Sequence, residues 1–144
     1  MGWSLSSFDE EISSEGCLSW WGDTDDPASV EIGAHLKLPP GAQNLVAHSA
    51  QSLQTCDIYA SFVIPAPQLD AFLASTHISQ TKQVSGSGLA NLSPTINAVN
   101  WTFNEKMTYL YGSGAGDGGQ NLQEIVIEQI RSDTYKVYVV NHLD

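Results

Sequence analysis

Positive charge is what this sequence has least of. Five basic residues, Lys37, Lys82, Lys106, Arg131 and Lys136, stand against 16 Asp and Glu in 144 residues, a formal net charge of −11. Five scattered cations cannot form the basic stripe that a phosphate backbone requires, which excludes nucleic acid as a partner. The same balance disfavours anionic membrane surfaces and favours cations or a basic protein. Acidity also keeps a small protein soluble, whatever its partner.

Long apolar runs are missing too. None approaches the roughly 18–20 residues of a membrane-spanning helix. Met1–Gly16 is polar and acidic and has no signal-peptide pattern, so an exported form would have its signal removed or placed upstream. Cysteine is scarce, with Cys17 and Cys56 alone. Paired, they would tie the N-terminal segment to the body in an oxidising compartment; unpaired, Cys56 is an ordinary strand residue. The irregular setting of Cys17 favours the bridge.

Catalytic signatures are absent as well. No H-E-x-x-H occurs, and no two of His35, His48, His77 and His142 are spaced to share a helical face, which argues against zinc. Ser87 lies in Ser85-Gly86-Ser87-Gly88, which is not a nucleophile elbow. Cys56 with a distant histidine is a dyad that any such composition permits.

What is present suits one folded domain. Apolar residues make up 42% of the chain, enough for a core at this length without staples. Residues 1–27 read as a loosely ordered acidic segment and 28–144 as the domain. Val30, Ile32, Ala34, Leu36 and Leu38 alternate with Glu31, His35 and Lys37, which predicts a strand, although a helix over 28–37 fits the same residues. Pro39-Pro40-Gly41 ends that element. Leu45–Ala50 and Asp57–Ile64 are further strands. Pro67 then opens a helix whose Leu69, Phe72 and Leu73 form a narrow apolar stripe.

Residues 76–97 read as a long irregular connection, with room for a short hidden element. Val99–Phe103 and Met107–Tyr111 alternate as strands. Gln123–Ile130 and Tyr135–Asn141, joined by Arg131-Ser132-Asp133-Thr134, form a C-terminal hairpin. The sum predicts an α+β fold: a mainly antiparallel sheet of about seven strands with one short helix packed on one face.

Three features invite a functional reading. Asp23, Asp25 and Asp26 crowd one turn, and closely spaced carboxylates suit a hard cation such as Ca²⁺, although the distal Glu of an EF-hand loop is missing; otherwise the turn is solvated and caps the next element. Trp20 and Trp21 point to opposite sides of an extended segment, so one can anchor it while the other meets a partner or glycan. Gly114-Ala115-Gly116-Asp117-Gly118-Gly119 matches a dinucleotide fingerprint, but a strand rather than a helix follows, so it reads as a hairpin loop.

One stretch carries a family resemblance. Leu38-Pro39-Pro40-Gly41-Ala42, then Asp57-Ile58-Tyr59-Ala60-Ser61-Phe62-Val63-Ile64-Pro65, then Leu69-Asp70-Ala71-Phe72-Leu73-Ala74-Ser75, resembles uncharacterised bacterial proteins, many of them predicted lipoproteins. It covers Leu38–Ser75, about a quarter of the chain, and its motifs are structural. The resemblance implies an exported or cell-envelope setting in a bacterium, compatible with a Cys17–Cys56 bridge; a cytoplasmic setting is the alternative. No lipobox precedes Cys17, which argues against lipid attachment there.

Together these features point to a non-catalytic acidic module that binds another protein through Trp20, Trp21, Asp23, Asp25 and Asp26. An inhibitor or immunity protein against a basic partner is the specific version. The alternatives are a Ca²⁺- or glycan-binding module and an enzyme of unfamiliar type with its site under residues 76–97 or 112–121.

Overall fold

The computed structural model describes residues 22–34, 36–51, 56–76, 78, 80–92, 101–115 and 122–143. Seven strands, β1 (Gly22–Thr24), β2 (Gln43–Gln51), β3 (Cys56–Pro65), β4 (Lys82–Ser85), β5 (Thr108–Ala115), β6 (Leu122–Arg131) and β7 (Thr134–Leu143), form one sheet. Its order is β1-β2-β3-β7-β6-β5-β4, and every neighbouring pair is antiparallel. Three short helices accompany it: α1 (Pro27–Ala34), α2 (Leu69–Ala74) and α3 (Gly86–Leu92). The fold is therefore α+β and mainly antiparallel sheet, with more helix than the single one expected. Among the described residues no helix is long and apolar enough to cross a membrane.

The predicted strand over Val30–Leu38 is not formed; its first half is α1. Val30 and Ala34, four apart, are fully buried, whereas Ile32 between them is 54% exposed. A strand would have placed all three on one face; a helix turns Ile32 outward. The helix starts where Asp26 accepts from the Ser29 amide (3.2 Å) and the Ser29 hydroxyl (2.7 Å), with Pro27 at the first helical position. Beyond its end, the Leu38 amide donates to Glu31 Oε2 at 2.8 Å.

The expected strand at Val99–Phe103 is not found in its described part, since 101–104 is irregular. The tyrosines below supply the reason: Trp101 and Phe103 pack down onto Tyr59, Tyr109 and Tyr138 instead of pairing edge to edge. The 76–97 connection holds β4 and α3. Ser85 caps α3 by accepting from the Gly88 amide at 3.1 Å, so the serine–glycine run is a helix start. Gly86 is required there, because a Cβ would lie 2.0 Å from the Asn104 carbonyl oxygen. Gly114 and Ala115 close β5 against β6, and the rest of the glycine-rich run lies outside the described residues.

The sheet has two unlike faces. One, the aliphatic face, carries Ala47, Ile58, Ala60, Phe62, Ile64, Val137, Val139, Ile125 and Ile127 beneath α1 and α2. Phe62 meets Phe72 of α2 edge to face at 5.4 Å. After β3 the chain passes through a short 3₁₀ turn (Ala66–Gln68) and α2, then reaches the far edge at β4. Ile78 on this crossing is buried in the same core. At the upper margin Gln123, fully buried, donates from Nε2 to the last helical carbonyl, that of Ala34, at 2.8 Å. The sheet thereby satisfies a helix end that the chain leaves open. The other face, the tyrosine face, carries Tyr59, Tyr109, Tyr111 and Tyr138, covered in part by Leu89 of α3 and by Trp101 and Phe103.

Candidate functional site

Register brings ionisable residues together on the tyrosine face. Side chains two apart on a strand share a face, so alternate rows of paired residues line it. The uppermost row runs Ala50, Asp57, His142, Leu122. The next runs Asp23, His48, Tyr59, Val140, Glu124, Ser113. The third runs Val46, Ser61, Tyr138, Val126, Tyr111, Lys82. The first two rows hold three carboxylates, two histidines and no Lys or Arg.

His142 is the hub. Its Nδ1 faces Asp57 Oδ1 at 2.8 Å, and its Nε2 faces Glu124 Oε1 at 3.1 Å. A neutral imidazole has one N–H, so both contacts are hydrogen bonds only in the imidazolium. Glu124 is 3% exposed, and its second oxygen accepts the Tyr111 hydroxyl at 2.6 Å. Tyr59 makes a long contact, 3.4 Å, from its hydroxyl to Asp57 Oδ2. The result is a continuous chain: tyrosine, carboxylate, imidazolium, carboxylate, tyrosine.

The electrostatics follow from that order. The Glu124 hydrogen bond raises the His142 pKa above its usual 6.5; burial opposes the rise, and Asp57 adds to it through its hydrogen bond and charge. Burial pushes Tyr59 up to about 12, with the Asp57 charge and hydrogen bond reinforcing it. Tyr111 is raised further by burial and by Glu124, and Tyr138 by burial and by Glu128. Tyr138 donates to Glu128 at 3.0 Å, while Lys136 lies 5.1 Å from the Tyr138 ring centroid. These groups hold protons firmly. Both ring nitrogens of His142 thus face carboxylate oxygens.

The acidic turn is placed differently from the hub. Asp23 lies in β1 and pairs through Oδ1 with His48 Nδ1 at 2.8 Å, in solvent. Asp26 caps α1, and its own amide donates to Thr24 Oγ1 at 3.2 Å. Asp25 is exposed between them. Among the described residues no three His, Cys, Asp or Glu side chains gather in a way that could hold a metal ion. Cys56 opens β3, and Cys17, Trp20 and Trp21 lie outside the described residues. Neither the disulfide nor the aromatic surface is therefore described.

Sequence reasoning passed over Asp57, Glu124 and His142. Half of the signal was available: the C-terminal hairpin turn sets Leu122 opposite His142, which puts Glu124 diagonally beside it on the same face. Asp57 arrives through a pairing between residues 85 apart, which no local pattern announces. The described residues also line surface recesses, one of them beside Gly41, Val63, Pro65 and Arg131. An apolar one of about 350 Å³ is lined by Leu38, Pro39, Pro40, Pro67, Ala71 and Phe72. A polar one of about 300 Å³ lies beside Gln80, Lys82 and the β5 residues Tyr111–Ser113. In comparisons with known proteins, no family model, curated protein or solved structure matches the chain.

Proposed function

We propose that the chain is a non-catalytic acidic module that recognises a basic protein, in the manner of an inhibitor or immunity protein covering a cationic site. The observation that carries this reading is the charge balance, −11 with five cations. Its arrangement adds support: Asp23, Asp57 and Glu124 share two rows of one sheet face with no Lys or Arg between them. Opposite charge speeds the encounter with a basic partner and rejects acidic ones.

The resemblance of Leu38–Ser75 to predicted bacterial lipoproteins supports an exported or envelope setting. Ca²⁺ at Asp23, Asp25 and Asp26 receives less support, since an ion would compete with the His48 pair and with the cap of α1. A Ca²⁺ titration that raised the melting temperature would reverse that order.

The test is affinity capture of the tagged protein from native lysate and culture fluid at low salt, followed by elution at high salt. We expect a basic protein, released by salt, with mass spectrometry giving its identity. An acidic partner, or retention indifferent to salt, would overturn the proposal.

A further inference from the structure

We infer that the apolar recess between α2 and the turn Pro39-Pro40-Gly41 is a binding site for a small apolar carboxylate, independent of any protein partner. The recess has about 350 Å³ of space, the room of roughly a dozen waters at about 30 Å³ each. That lies at the low end of small-molecule sites, about 300–1,000 Å³, and suits one ligand of roughly ten non-hydrogen atoms.

Both walls follow from the sequence. Gln68, Ala71, Phe72 and Ser75 line one of them. They recur at i, i+3, i+4 and i+7, so they form one stripe along the 3₁₀ turn and α2. Asp70, directly before Ala71, is off that stripe. Ala71 is small and exposed, which leaves the recess deep, while Phe72, 2% exposed, forms its base.

The facing wall is Leu38, Pro39 and Pro40, and hydrogen bonds hold it. The Leu38 amide donates to Glu31 Oε2 at 2.8 Å, and the Ala42 amide to the Pro39 carbonyl at 3.1 Å. The Gly41 amide donates to Gln68 Oε1 at 3.0 Å, which ties the turn to the opposite wall. Pro39, Pro40 and Pro67 fix their own φ. A ligand therefore meets a recess already shaped, at little ordering cost.

Charge selects the ligand. The chain carries 16 Asp and Glu, yet none of them lines this recess, and one of its five cations, Lys37, does. Lys37 makes no ion pair with any described residue. The other polar side chains of the walls are engaged: Gln68 Oε1 holds the Gly41 amide, and the Ser75 hydroxyl donates to the Phe72 carbonyl at 2.7 Å. An apolar recess with one unpaired ammonium beside it fits an apolar body that ends in a carboxylate. Acidic groups elsewhere oppose an anion only weakly, because charges beyond about 8 Å are screened at physiological salt.

The full chain, isotopically labelled, is titrated with octanoate while its amide resonances are followed. Octanol and octylamine, of the same length, test the charge; acetate carries the charge without the tail. Octanoate should bind saturably with a dissociation constant of about 1 mM, shifting the amides of Lys37, Leu38, Gly41 and Ala71–Ser75. Octanol should bind there about threefold more weakly, the gain expected of one exposed ion pair. Octylamine should bind more weakly still, and acetate should cause no saturable shift. Lys37→Gln should bring octanoate down to the octanol level. Lys106→Gln, the same loss of charge in the turn before β5, should leave octanoate binding unchanged. Ala71→Phe fills the recess and should remove binding of octanoate and octanol alike.

If octylamine binds as tightly as octanoate, or the two lysine variants act alike, the carboxylate assignment is wrong. If none of these amides shifts up to about 10 mM octanoate, or the shifts centre elsewhere, the recess is not the site. If the same amides move on diluting the protein alone, a second copy covers the recess and the assignment falls. The comparison among ligands needs no variant, so a variant that folds poorly does not decide the matter.

Discussion

The two faces of the sheet use the same strands for opposite purposes. On the aliphatic face Ile58, Phe62, Ile64, Ile125 and Val137 meet α1 and α2 without an ionisable group among them. On the tyrosine face, one residue further along each strand, Tyr59, Asp57, His142, Glu124 and Tyr111 form a hydrogen-bonded network. The first face gains stability from area removed from water, which is non-directional and tolerates repacking. The second depends on placement of individual atoms, because a buried charge without its partner is costly. Apolar packing and hydrogen-bonded polar groups are thus separated by the pleat. Substitutions on one face should read out differently from substitutions on the other.

The largest effect is expected on the aliphatic face. Phe62 is fully buried and in edge-to-face contact with Phe72. Phe62→Ala removes both the transfer gain and that contact, and should cost about 3–5 kcal/mol. Urea unfolding measures it directly. A loss under about 1 kcal/mol would mean that α2 is not held to the sheet as described.

The network comes next. Glu124→Gln leaves His142 with one carboxylate and Tyr111 with a weaker acceptor, at an expected cost of about 2 kcal/mol. A double-mutant cycle with Tyr111→Phe should then show coupling, because one variant weakens and the other removes the same 2.6 Å bond. Additive losses would show that the two side chains do not act together.

A smaller effect, with a sign, follows from the hub. The folded-state pKa of His142 is raised above 6.5. Its stabilising contribution is therefore complete below the unfolded value and fades as pH rises through the folded value. Stability should fall on going upward from about pH 6.5, and His142→Gln should flatten that part of the profile. Melting temperatures across the range give the comparison. An unchanged slope in the variant would assign the pH dependence to other groups.

Much of this architecture was legible and some was not, for identifiable reasons. The C-terminal hairpin could be read because Val, Ile and Tyr residues crowd Gln123–Ile130 and Tyr135–Asn141 on either side of the polar turn Arg131-Ser132-Asp133-Thr134. β3 and the helix after Pro65 were equally plain, since a period of two gives way to a period near 3.6 across a proline. Val30–Ala34 misled because its apolar residues fit both periods. The decisive signals were Asp26 and Pro27, a cap and a first-turn proline, which outrank alternation over five residues. β1 escaped notice because three polar residues carry no pattern; β2 imposes the strand on them. The site was half legible. Glu124 and His142 are neighbours in a local hairpin, while Asp57 joins them through the β3–β7 pairing, a long-range choice set by the whole sheet order.

The helix start offers a finer test of why α1 forms. Asp26 accepts from the Ser29 amide and hydroxyl, and Asp26→Ala should cost about 1 kcal/mol, against a few tenths for Asp26→Gly. The loss should fall on α1 and on the aliphatic face beneath it. Amide exchange at Val30, whose N–H donates to the Asp26 carbonyl at 3.1 Å, is the local probe. Equal acceleration at Tyr138 on the other face would mean that the cap is felt by the whole sheet rather than by its own side.

The smallest effect sharpens the comparison most. Val46 lies on the tyrosine face beyond the aromatic cover and is 58% exposed. Exposure removes most of its transfer gain, so Val46→Ser should change stability by no more than about 0.5 kcal/mol. Ile58, fully buried on the aliphatic face, would not tolerate a polar replacement so cheaply. A valine on an uncovered strand also contributes β-propensity, and its loss works against folding by a few tenths of a kcal/mol. Thermal unfolding of Val46→Ser beside Ile58→Ser therefore separates a side chain kept for the fold from one whose value lies outside it. A loss at Val46 comparable to that at Ile58 would place it in the core.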